Sequence, residues 1–255
     1  MGLGLGNANA NNWVKIPPGS SPSFDCPTDY SIEFDGLTEN GFTGALNQVP
    51  VLGLNGEENF TITFWVKAFD VTGGGVNQRI LAVAGTGAVI WNVMFRADGR
   101  LQFSGAWSDI CNFAFVSGTW YHVAYSVDRG GSASWIIDGS LSDSKNVSGE
   151  TDIFKPDGTL YLASNSSGNQ LFGGNLTEIA IWYSDLSAAK LTELYDNTLG
   201  KCYDRDFSFS SDLKYYWPCF NTLGTFSNPI PDTVGGSDIK LNNMDATNVS
   251  SDSPL

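Results

Sequence analysis

The residue with the most obvious catalytic potential is His122, the single histidine of the chain. It lies in the segment GTWYHVAYSVDRGGSASWIIDGSL, which also contains Trp120 and Trp135. A histidine that acts as a general base needs a partner within hydrogen-bond reach, and this segment offers no evident one. The segment alternates between two faces, which is typical of a strand with one face in a core. We therefore interpret His122 as a strand residue that is hydrogen-bonded beside a sheet.

Other catalytic motifs are missing from the sequence. A serine triad would need a strained serine turn near His122, and the chain contains no G-x-S-x-G. The glycine run at residues 73–75 is followed by VNQRIL, without the lysine or the helix of a phosphate-binding loop. The sequence therefore predicts a protein that is not an enzyme.

Flat aromatic surface with neighbouring amides would serve a different chemistry, the binding of a sugar. Trp107 follows RLQFSG in a predicted loop, and Trp91 and Asn92 begin a neighbouring predicted strand. These three residues form our candidate carbohydrate-binding platform. The alternative is that the tryptophans are core residues, and the sequence leaves that question open.

The charge and hydropathy of the chain exclude two classes of partner. The net charge is −14, whereas nucleic acids are bound through their phosphates by basic surfaces. No apolar stretch reaches the roughly 18 residues that a membrane-spanning helix requires. The first residues also lack the basic and apolar regions of a secretory signal. We therefore expect no nucleic acid and no membrane as partners.

The four cysteines predict no metal site. None shows the C-x-x-C spacing of a zinc ligand pair. Cys202 and Cys219 flank a predicted strand and turn and could be bridged, with reduced buried thiols as the alternative.

The elements that would position these residues are mostly short strands. Segments such as YSIEFDG and NFTITFWVKAF alternate along their length and end at turn residues. Asp98-Gly99 between two apolar runs predicts a hairpin, and the cluster at residues 128–132 predicts another. One segment differs, because Leu191 and Leu194 follow helical spacing after Ser187, a plausible N-cap, with Gly200 as a plausible stop.

Eleven or more short strands without β-α-β alternation predict an all-β fold. We expect two antiparallel sheets packed face to face, as a sandwich or jelly roll, with one short helix over an edge. Residues 1–28 are rich first in Gly and Asn, then in Pro and Ser, and predict an extended N-terminal arm. Residues 29–255 form the predicted domain.

Five segments in this order resemble the concanavalin A-like lectin/glucanase superfamily, in its laminin G-like (pentraxin-like) branch. They are YSIEFDG, FTITFWVKA, GTWYHVAYSVD, SWIIDGSL and NLTEIAIWYSDLSAAKLTELYDN, and they span residues 30–197. The resemblance implies a jelly roll whose concave face often binds glycans. It also implies a structural calcium in many members, for which Asp35 is the candidate ligand here. Hydrolases of this superfamily carry an E-x-D-x-x-E run, and this chain lacks one.

Two functions fit these expectations. The first is a non-enzymatic virion protein of a tailed phage, in a capsid decoration or a fibre, with a lectin-like domain that binds host-surface glycans. Its partners would be other virion subunits, contacted through the arm at residues 1–28, in a homo-oligomer or a lattice. The alternative is a secreted or cell-surface lectin or adhesion module that binds carbohydrate.

Overall fold

The computed structural model shows a two-layered β-structure. It describes residues 30–43, 59–85, 88–150, 158–196, 203–204, 206–218 and 228–254, with only the backbone of residues 88–90. The predicted arm at residues 1–28 lies outside the described residues, as do Cys202 and Cys219, so these predictions stay predictions. Cys111 is described, and it is a buried free thiol.

Fifteen strands and one α-helix make up the described structure. In chain order they are β1 (Ser31–Asp35), β2 (Asn40–Thr43), β3 (Phe60–Ala68), β4 (Gln78–Gly85), β5 (Ala88–Phe95), β6 (Leu101–Ser104), β7 (Ser108–Ile110), β8 (Tyr121–Val127), β9 (Ser132–Ile137), β10 (Ser140–Asn146), β11 (Thr159–Leu162), β12 (Gly173–Trp182), α1 (Ala188–Tyr195), β13 (Leu213–Trp217), β14 (Ile239–Asn242) and β15 (Val249–Ser250).

The strands form two antiparallel sheets. Sheet A has eight strands in the order β10-β9-β8-β3-β12-β1-β15, with β13 also paired to β12. Sheet B has seven strands in the order β14-β2-β11-β4-β5-β6-β7. The predicted all-β fold, two antiparallel sheets with one helix, is confirmed and is consistent with a jelly-roll sandwich. Both predicted hairpins are present, as β5–β6 and as β8–β9.

The core between the sheets, here called the inter-sheet core, is rich in aromatic rings. Phe103 of β6 stacks on Tyr125 of β8 with ring centroids 4.7 Å apart, and Tyr125 contacts Trp135 of β9 at 4.4 Å. Phe103 belongs to sheet B, whereas Tyr125 and Trp135 belong to sheet A, so the contact of Phe103 with Tyr125 holds the two layers together. Buried aromatic pairs of this kind contribute packing energy beyond the area that they bury.

A second apolar cluster lies on the outer face of sheet A, and we call it the outer layer. Its helix, α1, starts at Ser187, whose Oγ accepts the backbone N–H of Lys190 at 3.5 Å, as an N-cap does. The helix buries Leu191 and Leu194 against the sheet. The cluster comprises Ala124, Ile136, Ala180, Trp182, Leu186, Leu191, Leu194, Tyr203, Phe207, Phe209, Leu213 and Tyr216.

The outer layer corrects one detail of the expected packing and adds to another. The alternation of β8 predicts one face in a core, but every residue of β8 is buried, because the outer layer covers its second face. The helix contacts an edge of sheet A, as expected, because Thr192 Oγ1 donates to the carbonyl of Gly139 beside the edge strand β10 at 2.7 Å. It also extends over the face of the sheet, since Tyr195 contacts Trp65 in the centre of the sheet, with ring centroids 5.8 Å apart. No helix among the described residues has the length and apolar character of a membrane span.

Candidate functional site

The outer face of sheet B, here called the B face, carries the polar and aromatic chemistry that a ligand could use. Register places its side chains in rows across the strands. Asn92 lies opposite Ala82 and Ser104, while Tyr161 lies opposite Ala82 and Phe42. The side chains that define the B face are Phe42, Arg79, Asn92, Met94, Gln102, Ser104 and Tyr161. Neither hydrophobic cluster of the described residues includes them.

Hydrogen bonds hold the amides of the B face in fixed positions. Arg96 Nη1 donates to Gln102 Oε1 at 3.3 Å, and Gln102 Nε2 donates to Ser108 Oγ at 2.7 Å. Asn92 Nδ2 donates to the carbonyl of Ser104 at 3.2 Å. The face therefore presents amides whose orientation is set before any ligand arrives.

Asn92 also has an acceptor that the described residues leave unused. Its side chain is 4% exposed, and its Oδ1 has no hydrogen-bond partner among them. A buried acceptor without a partner costs about 1–3 kcal/mol, so native proteins rarely keep one without a reason. Beside it, Arg79 Nε donates to Gln170 Oε1 at 2.6 Å, while its Nη1 lacks a partner among the described residues.

The structure separates the three residues of the predicted platform. Trp91 is fully buried in the inter-sheet core, where it stacks on Phe103 with centroids 6.2 Å apart. Trp107 is 4% exposed, and its Nε1 donates to the hydroxyl of Tyr125 at 2.8 Å. Asn92 alone points to the B face. A sugar cannot stack on a ring without an exposed face, so the geometry gives no support to Trp91 and Trp107 as a platform.

The physical reason lies in strand geometry. Consecutive residues of a strand point to opposite faces, so Trp91 and Asn92 cannot share a surface. Trp107 does lie between two strands, as the sequence indicates, but its ring folds back into the inter-sheet core. Arg129 covers the ring, with its guanidinium carbon 4.9 Å from the ring centroid. The residues that the sequence analysis missed, Gln102 and Tyr161, show on the B face only once the strand register is known.

Family comparison agrees with the two-sheet architecture and its helix. The laminin G model Laminin_G_3, described as concanavalin A-like lectin/glucanases superfamily, matches residues 41–192. The chain belongs to this superfamily. No curated protein matches the sequence of the chain.

Two solved structures illustrate how the superfamily fold recurs. A Bacteroides ovatus protein provisionally described as carbohydrate binding aligns with a TM-score of 0.63 and 16% identity, covering 87% of this chain and 59% of that one. The native heptameric SAP-like pentraxin of Limulus polyphemus aligns with a TM-score of 0.52 and 17% identity, covering 68% and 85%. At these identities the likeness shows the fold alone. The chain spans a little over half of the length of the Bacteroides protein.

Asp35, the predicted calcium ligand, ends β1 and organises the turn that follows. Its Oδ1 accepts the backbone N–H groups of Leu37, Thr38 and Glu39 at 2.7, 2.9 and 3.2 Å. Partial burial opposes ionisation of Asp35, but these bonds together outweigh it and lower the pKa of the carboxyl. A turn-forming carboxylate explains this geometry without a metal. Among the described residues, no group of three or more Asp, Glu, His or Cys side chains could hold a metal ion.

His122 is a strand residue, as predicted, but its ring is not hydrogen-bonded. Its backbone N–H donates to Asp138 Oδ1 at 2.8 Å, whereas both ring nitrogens are buried without a partner among the described residues. The ring lies 5.2 Å from Trp65 and 6.2 Å from Tyr195, measured between centroids. Burial lowers the pKa of His122 to about 3, so the ring is neutral at neutral pH. It therefore serves as packing under α1.

A buried acid of sheet A escaped the sequence analysis. Glu178 occupies a bulge of β12 between Thr177 and Ala180, at a φ of 52° that a non-glycine residue seldom adopts. Burial raises the pKa of Glu178 to about 8, while a hydrogen bond with Tyr216 partly offsets this rise. The only sequence signal was an acid inside the apolar run NLTEIAIW.

Proposed function

We propose that the chain is a lectin-like module that binds carbohydrate on the B face. The observation that carries this proposal is the pairing of fixed amides with half-buried aromatic rings on one side of sheet B. Asn92 and Gln102 supply donors and acceptors for sugar hydroxyls, while Tyr161 and Phe42 supply flat apolar surface for the C–H face of a sugar ring. Membership of the superfamily and the description of the Bacteroides ovatus relative support the same proposal.

The layout of the B face sets the size of the ligand. Tyr161 and Asn92 are separated by one intervening strand, β4. Two strand spacings correspond to about 10 Å, which is longer than one sugar ring. A ligand that contacts both residues is therefore an oligosaccharide of at least two rings, laid across the strands.

A glycan array, probed with and without calcium, tests this proposal. For the best binder, calorimetry would then compare Asn92→Ala and Tyr161→Ala with the control Tyr183→Ala, which removes a half-buried tyrosine just after β12 of sheet A. We expect each B-face variant to weaken binding about tenfold, the equivalent of one good contact, and the control to bind normally. Normal binding by both B-face variants, or no binder on the array, would overturn the proposal.

The calcium arm of the array also tests the predicted role of Asp35. We propose that any calcium dependence would come from Asp35, so Asp35→Asn should abolish it. Identical binding with calcium and with a chelator would show that calcium has no role in binding. It would not contradict the proposal that the B face binds carbohydrate.

We propose a virion as the biological setting, in which the module would attach a tailed phage to host-surface glycans. A secreted or cell-surface lectin uses the same B face and is equally consistent with the family. Co-purification with phage particles, and capsid or tail genes beside this gene, would support the virion. Their absence would favour the secreted lectin.

Self-association, the last of the predicted partnerships, is proposed on the same basis. The pentraxin relative is described as heptameric, and the sequence analysis predicted a homo-oligomer or a lattice. Light scattering coupled to gel filtration would measure the mass directly. A monomeric mass at all concentrations would contradict this part of the proposal.

A further inference from the structure

A groove with a volume of about 350 Å³ lies on the opposite side of the sandwich from the B face. The groove runs between strands β8–β10 and the segment at residues 185–188 that leads into α1. Its volume falls within the range of about 300–1,000 Å³ that small-ligand pockets occupy. The groove is therefore large enough for one sugar-sized ring, but not for a long oligosaccharide.

A row of hydroxyls crosses the sheet through the floor of this groove. Register aligns Thr61, Ser126, Ser134 and Ser144 on four neighbouring strands, with all four side chains on one face. Thr61 Oγ1 and Ser126 Oγ are 3.0 Å apart, and Ser134 Oγ donates to Ser144 Oγ at 3.2 Å. Ser134 lines the groove and keeps oxygen lone pairs that a ligand hydroxyl can reach.

Two carboxylates and an aliphatic side chain complete the lining. Asp128 Oδ1 accepts the N–H of Gly130 at 2.9 Å, and Asp185 Oδ1 accepts from Asn59 Nδ2 at 2.8 Å. Neither aspartate forms an ion pair with a lysine or arginine among the described residues. Each therefore keeps an oxygen that can accept from a ligand. Leu141, which is 62% exposed, offers an apolar wall beside them.

Hydrogen bonds within the protein also fix the polar groups of the groove before any ligand binds. Asn59 links its two sides, because its Nδ2 donates to Asp185 while its Oδ1 accepts the N–H of Arg129 at 2.9 Å. On the floor, Ser126 Oγ donates to the carbonyl of Leu186 at 3.1 Å. Preorganised polar groups of this kind lower the ordering cost of binding.

From this geometry we infer that the groove is a second saccharide site, which takes a single hydroxylated ring. Carboxylate oxygens accept hydrogen bonds from ring hydroxyls, and serine hydroxyls both donate and accept. Leu141 with Ile136 contacts the apolar edge of the ring. The two carboxylates repel phosphate and other anions. Because the B face and the groove lie on opposite sides of the sandwich, one molecule can bridge two glycan chains. This inference deepens the proposed function without depending on the same residues.

NMR titration of the full chain with methyl glycosides, and with an alkylammonium salt, tests the inference. We expect a methyl glycoside to shift the backbone amide resonances of Gly131, Ser134 and Ser187, which report on the groove. The resonances of Asn92 and Gln102 report on the B face and are followed in the same titration. Ser134→Val, which keeps a strand-compatible side chain but removes the hydroxyl, should weaken binding at the groove about tenfold. The matched control is Ser140→Val, which changes an exposed serine of β10 that does not line the groove.

The outcomes keep the two sites distinguishable. Shifts confined to the B face, or a Ser134→Val variant that binds like the control, would overturn the groove and leave the B face standing. Groove shifts with the alkylammonium salt but with no glycoside would also overturn the inference. If Ser134→Val fails to fold, Asp185→Asn replaces it, with the same expected loss. Shifts at neither site with any methyl glycoside would overturn the groove, whereas the B face is tested by the oligosaccharides of the glycan array.

Discussion

The inter-sheet core and the outer layer of sheet A are both aromatic, yet they differ in what they bury. The inter-sheet core joins two sheets through ring contacts such as that of Phe103 with Tyr125. The outer layer joins one sheet to α1, Tyr203 and residues 206–213. It covers the neutral acid Glu178, which contacts Tyr216, and the neutral ring of His122, which lies against Tyr195. Most of sheet A therefore contributes to stability through both of its faces. Apart from the groove beside β8–β10, the outer face of sheet B is the extended surface for binding.

The largest expected effect comes from the inter-sheet core. Phe103→Ala should lower the free energy of unfolding by about 3–5 kcal/mol, because it removes a ring that contacts both sheets and leaves a cavity. Urea titration followed by tryptophan fluorescence measures this loss. Phe69→Ala is the control, since Phe69 is 48% exposed and its loss should change stability by less than about 0.5 kcal/mol. Equal losses in the two variants would contradict the assignment of this core.

The second effect is a pH dependence that belongs to the outer layer. Burial raises the pKa of Glu178 from its ordinary value of 4.5 to about 8 in the folded chain. Between these values the unfolded chain loses the proton and the folded chain keeps it, so stability falls as the pH rises. Glu178→Gln keeps a hydrogen-bonding partner for Tyr216 but cannot ionise.

Between pH 5 and pH 8 the free energy of unfolding of the parent chain should fall by about 3 kcal/mol. We expect Glu178→Gln to abolish this fall. Urea midpoints at a series of pH values measure the difference. Glu193→Gln, which changes an acid on α1, is the control and should keep the parent's slope. Parallel curves for the parent and Glu178→Gln would show that Glu178 is not held neutral.

The third effect separates the outer layer from the inter-sheet core. Leu194→Ala should cost about 2 kcal/mol, since the end of a short helix can relax around the lost side chain. Hydrogen exchange should quicken in α1 while the amides of β6 and β8 keep their protection. Faster exchange in β6 to the same degree would mean that the two clusters unfold as one unit.

The smallest effect is a loss of stability at low pH that comes from His122, which packs under α1 in the outer layer. Burial lowers the pKa of His122 from its ordinary value of 6.5 to about 3 in the folded chain. Between these pH values the unfolded chain binds a proton that the folded chain does not bind. Stability therefore falls as the pH drops below about 6.5. His122→Phe should reduce the loss between pH 7 and pH 5.5 by about 1 kcal/mol, as measured by thermal unfolding. If His122→Phe loses as much stability at low pH as the parent chain, residues other than His122 cause the acid sensitivity.

The sequence predicted what depends on local patterns. The hairpin at Asp98-Gly99, the N-cap at Ser187 and the strand that holds His122 all follow from spacing and turn chemistry. The structure does not test the predicted stop at Gly200, because α1 ends at Tyr195 and Gly200 lies outside the described residues. Local patterns suffice where an element is specified by its own residues.

The sequence failed where function depends on pairing between distant strands. Whether Trp91 or Asn92 faces outward depends on which face of β5 meets sheet A, and alternation alone does not decide this. Tyr161 reaches the B face only because β11 pairs with β4. The outer layer, too, arises from residues far from β8, so the burial of both β8 faces could not be predicted from its alternation.

Hydrogen–deuterium exchange with and without the best oligosaccharide tests most directly whether the outer face of sheet B is the extended binding surface. We predict that the oligosaccharide slows exchange in β4, β5, β6 and β11, while α1 exchanges at an unchanged rate. Protection confined to α1 and residues 203–213, with sheet B unaffected, would contradict the account.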